Sequence, residues 1–131
     1  MSSLEWRCAV AVLVGVAFEV VFIWRFLPYS QRESHHALLP LYALPMLAFL
    51  AGLVLTLRLE QNRRYVAISL VAAFCGANVC LIVADCWNDP TNHNLWPFEF
   101  VLIFALTAPA FLGARVSLWL SRGRTTAPVR D

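Results

Sequence analysis

Four apolar runs, about 6–27, 37–57, 65–87 and 96–120, occupy most of the chain. Each approaches the ~20 residues that a helix needs to cross a hydrocarbon core of ~30 Å. The connections between them hold about 9, 7 and 8 residues, so sequence neighbours must run antiparallel. Of the 131 residues, 60% are hydrophobic and 14% charged, whereas an ordinary soluble domain holds roughly 45 to 50% apolar residues. The expected fold is all-α: an integral membrane four-helix antiparallel bundle. It forms one transmembrane domain over 1–131, with 121–131 as a disordered polar tail. The first run exceeds the ~7 to 15 residues of a signal-peptide core, and "RFLPYSQRESHH" offers no small-x-small cleavage site, so it is expected to stay as an anchor.

Orientation follows from the arginines. Arg7, Arg58, Arg63, Arg64, Arg122, Arg124 and Arg130 fall on one side, with Arg115 near that end of the fourth run, and only Arg25 and Arg32 fall on the other. The positive-inside rule then puts both termini and "RLEQNRR" in the cytoplasm. The net charge of +2 reflects this topology and gives no sign of nucleic-acid binding. Ten arginines without a lysine suggest a GC-rich genome, hence a multi-pass protein of a bacterial inner membrane. The four cysteines, Cys8, Cys75, Cys80 and Cys86, form no C-x-x-C and no metal-type spacing. Three lie at membrane depth, where a thiol packs as a small apolar group.

Helices associate in lipid through small residues that let backbones approach. The stripes on offer are Ala11 and Gly15, Ala48 and Gly52, Ala72 and Gly76, and Ala110 and Ala114. They suit a compact monomer, a homo-oligomer or a larger membrane complex equally well. Pro109 removes a backbone donor and leaves the Ala105 carbonyl without its usual partner, so a kink or a polar neighbour is expected there.

The polar residues inside the runs are the candidate site. Glu19 lies thirteen residues past Trp6, about 20 Å from the cytoplasmic edge at 1.5 Å per residue. Asn78 lies thirteen residues past Tyr65 on a helix parallel to the first, so the two sit at one depth and could hydrogen-bond. Asp85 shares the helical face of Asn78 seven residues on, and Arg25 comes out level with Asp85 as a candidate ion-pair partner. A membrane-embedded ionisable residue costs about 2.5 to 3.5 kcal/mol on insertion scales, and is therefore read first as functional. The alternative is a protonated Glu19 that only ties two helices together.

The stretch "DCWNDPTNHNLWPFE" is mostly turn chemistry. Asp89 and Pro90 open a turn, and Asn94 and Pro97 suit the start of a helix. Trp87 and Trp96 form an aromatic belt. Crowded on that rim are His35, His36, Asp85, Cys86, Asp89, His93 and Glu99, a donor set that could hold zinc or copper, although its spacing matches no metal motif.

Three function classes remain. A non-catalytic subunit or partner-binding membrane module asks least of the sequence. A small-solute transporter coupled to protons or cations would use Glu19. An enzyme would need a metal site on the extracytoplasmic rim, and no catalytic motif or cofactor can be named. "AFEVVFIWRF" resembles, over about ten residues, the first helix of small multidrug resistance transporters. The membrane-embedded glutamate of that family exchanges protons for cationic drugs. The loops, the arginine bias and the later helices depart from that family, so the resemblance implies only that a lone carboxylate can bind a proton or cation.

Overall fold

The structure is a computed structural model and describes residues 3–24, 41–59, 61–88 and 96–122. It is all-helical among these residues: α1 (Ser3–Glu19), α2 (Leu44–Thr56), α3 (Arg63–Asn88), α4 (Trp96–Thr107) and α5 (Pro109–Arg122), the last two being halves of one broken helix. A π-helical turn, Val20–Trp24, prolongs α1, and a 3-10 turn, Leu41–Ala43, leads into α2.

The boundaries follow local chemistry. Pro45 sits in the first turn of α2, where a missing N–H costs nothing. Pro109 cannot donate within a helix, and the chain breaks at Ala108, whose carbonyl accepts from Phe111 N in a tighter turn (3.0 Å). Thr107 Oγ1 adds a bond to the Ile103 carbonyl (2.9 Å) just before the break. Between α2 and α3, Arg58 and Asn62 adopt left-handed φ values of 58° and 63°, which reverses the chain in a few residues.

Contacts fix the topology. A Cβ added to Gly15 would lie 2.6 Å from the Leu70 carbonyl and 2.8 Å from Ala73 Cβ, so α1 and α3 cross in backbone contact. Gly52 abuts the Ala110 backbone, and Gly113 abuts Phe49 and Leu53, so α2 and α5 cross as closely. Farther along, Glu19 meets Asn78 and Thr56 meets Ser117, so residue numbers rise together along both crossings and each pair is parallel. Arg7, at the start of α1, donates to the Leu55 and Leu57 carbonyls at the end of α2 (2.7 and 2.6 Å), so sequence neighbours run antiparallel.

Three of the expected small-residue stripes are buried at these crossings, whereas Ala72 and Gly76 of α3 face outward, and a Cβ on Gly76 would meet nothing within 4 Å. Helix α3 instead turns large residues inward, Val66, Leu70, Phe74 and Leu81. Only one helix of a close crossing needs the glycine, and Gly15 supplies it.

Two helices, Arg63–Trp87 and Pro97–Arg122, are long and apolar enough to cross a membrane. The described part of the second run is shorter: α2 has 13 residues, about 20 Å of helix.

Candidate functional site

One turn beyond the Gly15 contact, the buried line of α1 reaches Glu19, which has no exposed surface. Asn78 on α3 is 2% exposed and donates through Nδ2 to Glu19 Oε1 at 3.2 Å. The parallel run of α1 and α3 is what brings these two residues level. Asn78 Oδ1 is buried and has no hydrogen-bond partner among the described residues. A buried amide oxygen in that state loses the solvation it had in water and receives nothing in return.

The α-helical hydrogen-bonding pattern ends at Glu19 and the π turn begins at the next residue. Single π turns are uncommon and concentrate at functional sites. The T-shaped contact of Phe18 and Phe22, with centroids 6.1 Å apart, packs apolar surface beside the carboxyl. Beyond Asn78 on the same face of α3 lie buried Ile82 and half-buried Asp85. Ile82 also lines a cavity of about 590 Å³ between α3 and α4, with Val79, Val83, Cys86, Trp87 and Phe100.

Glu19 and Asn78 are thus brought together. Asp85, Cys86 and Glu99 are half-buried, while Arg25, His35, His36, Asp89 and His93 lie outside the described residues. Among the described residues no group of three or more His, Cys, Asp or Glu converges as a metal site would.

A second polar cluster was not legible as a site. Thr56 Oγ1 lies 2.8 Å from Ser117 Oγ and 2.6 Å from the Gly52 carbonyl, all buried between α2 and α5. Arg63, 8% exposed, donates through Nε to the Leu59 carbonyl and reaches Ser117 Oγ at 3.2 Å and Ser121 Oγ at 3.1 Å. The available signal was the spacing Ala48, Gly52, Thr56 together with Ser117 and Ser121, one helical turn apart.

No family model matches the chain, and no curated protein or solved structure is found similar to it.

Proposed function

We propose that this is a small multi-pass membrane protein in which Glu19 and Asn78 form a binding site for a proton or small cation, coupled to movement of a small solute. The membrane setting draws support from the outer surface, where twenty-two large hydrophobic side chains are exposed among the described residues. Soluble proteins leave such groups singly, not around whole helices. The arginine bias directs the arginine-rich end to the cytoplasm, and a reporter fused after Arg64 that read out on the far side would overturn that orientation.

The observation that carries the coupling is the Asn78 amide oxygen, an acceptor with no donor among the described residues and beside a carboxyl group. A protonated carboxyl supplies that donor, and a small cation would take both oxygens as ligands. Glu19→Gln gives the pair a permanent donor, so the fold should persist while the switch is lost. Infrared spectroscopy of the reconstituted protein should show a buried carboxyl band that comes and goes with pH and is absent from Glu19→Gln. A wild-type spectrum with no such band removes the proposal.

A second reading, a non-catalytic subunit or partner-binding module, is favoured by the outward face of α3. There Ala72, Gly76, Cys80 and Ala84 are exposed at successive i+4 positions, the spacing through which helices pack closely in lipid. Native mass spectrometry of gently extracted protein should then show a species heavier than one chain, which Gly76→Leu reduces to a single chain. A single chain throughout removes this reading.

A further inference from the structure

The cavity between α3 and α4 measures about 590 Å³ and is walled by Val79, Ile82, Val83, Cys86, Trp87 and Phe100. That volume lies within the ~300 to 1,000 Å³ of small-molecule sites. An apolar void of ~150 Å³ already takes one benzene ring, so this one has room for about three rings. Val79, Ile82, Val83 and Cys86 recur at i, i+3, i+4 and i+7 of α3, one stripe of a helix, and Phe100 adds the wall from α4. Ile82 is 8% exposed and forms the floor, whereas Val79, Val83 and Trp87 are 42, 59 and 88% exposed. The cavity therefore opens on the side of the bundle.

Among the described residues the wall carries no charged side chain, and its most polar side-chain group is the Cys86 thiol, a weak donor. Asp85 and Glu99, next in sequence to Cys86 and Phe100, are not part of it. An ionised ligand would leave its charge unpaired here, so the wall suits a neutral one. A mouth open to lipid is contested by acyl chains, which are as apolar as the valines of the wall. Only interactions that an acyl chain lacks can then select a ligand over lipid, and Trp87 and Phe100 offer them. A ring set against an aromatic side chain gains about two- to tenfold in affinity beyond its area. A rigid ring system also loses less freedom on binding than a chain does.

We propose that this cavity binds a neutral, ring-containing apolar molecule that enters sideways from the bilayer, with Trp87 and Phe100 as the selecting surfaces. The assignment names the class of solute for the coupled movement proposed above, and it rests on the membrane reading for its route of entry. Occupancy of the cavity asks nothing of Glu19. Neither Glu19 nor Asn78 lines it, and Ile82, one helical turn beyond Asn78, is the wall residue on their face of α3. The charge is carried on the carboxyl, and the solute moves uncharged.

The test places the full chain in phosphatidylcholine nanodiscs, with protein-free nanodiscs as the background. Two probes are titrated: N-phenylnaphthylamine, a neutral compound whose emission rises in apolar surroundings, and anilinonaphthalene sulfonate, the same rings with a fixed negative charge. The neutral probe should bind saturably, about tenfold or more tightly than the sulfonate. Val83→Phe fills the mouth from an exposed position and should weaken the neutral probe about tenfold. Val54→Phe, the same change on α2 at a position outside the cavity and equally exposed (59% for both), should leave affinity unchanged. Trp87→Leu keeps the wall apolar and should weaken binding about two- to tenfold, and Glu19→Gln should bind as the wild type does. Uptake that never saturates, or that is equal in wild type and Val83→Phe, would mean that acyl chains fill the cavity. Preference for the sulfonate would mean a charged ligand, and each of these results overturns the proposal. Saturable binding without the pH-dependent carboxyl band would sink the coupling at Glu19 and leave this site standing, whereas the band without saturable binding would do the reverse.

Discussion

Along α1 the buried line reads Ala11, Gly15, Glu19, and along α2 it reads Ala48, Gly52, Thr56. Both helices place a small residue, a glycine and a polar residue at i, i+4 and i+8, and both use the glycine to touch the backbone of a parallel partner. They differ in how the line ends. In the α2–α5 pair, Thr56 meets Ser117, and each hydroxyl has an oxygen within reach. In the α1–α3 pair, a carboxyl meets an amide and one amide oxygen is left over. If holding two helices together were the whole task, the hydroxyl ending would do it at lower cost. The α1–α3 ending adds an ionisable group and, among the described residues, leaves an acceptor open, the two features on which the proposed proton or cation site rests.

Substitutions at three places test this contrast. The largest effect is expected at the shared element, the glycine. Gly52→Val would drive a branched side chain into the Ala110 backbone, so it should destabilise by about 3 kcal/mol or more, read as the midpoint of unfolding in mixed micelles. Tolerance of valine would show that the close crossing is not what holds the pair. Next comes the α1–α3 ending. Asn78→Leu leaves the buried carboxyl without its amide and should cost about 2 kcal/mol. Adding Glu19→Leu should recover most of that loss, because removing both partners of a buried pair can be nearly neutral. A double variant no more stable than Asn78→Leu alone would show that Glu19 is held chiefly by other groups. The smallest effect belongs to the α2–α5 ending: Thr56→Val should cost about 0.6 kcal/mol, the average for an interhelical hydrogen bond within a membrane protein. A cost equal to that of Asn78→Leu would erase the distinction between the two pairs.

The helices themselves were legible, because apolar runs of this length have few other solutions, and so was the level placement of Glu19 and Asn78, which needs only equal counts along two parallel helices. What failed was the assignment of partners to faces. Ala72 and Gly76 have the same spacing as Ala48 and Gly52, yet one stripe faces outward and the other inward. Spacing reports that a face could be approached closely, and says nothing about which helix approaches it. Arg63 was missed for a related reason. A basic residue at a helix end counts as a topology signal, whereas its enclosure by Ser117 and Ser121 depends on the far end of a helix more than fifty residues away. The break at Pro109 falls inside the fourth run, where the missing donor was expected to act, whereas the second run becomes regular α-helix only at Leu44, next to Pro45.

The π turn after Glu19 has one more consequence, for how the chain can change over time. Each residue added to a helix rotates the part beyond the insertion by about 100° relative to the part before it. Within α1 such a change would swing Gly15 away from Leu70 and open the crossing. In Val20–Trp24 the hydrogen-bonding pattern is already that of a helix with one residue too many, so dropping a residue restores an ordinary helix and disturbs nothing before it. A single deletion within the turn should therefore leave both the carboxyl and the Gly15 crossing in place.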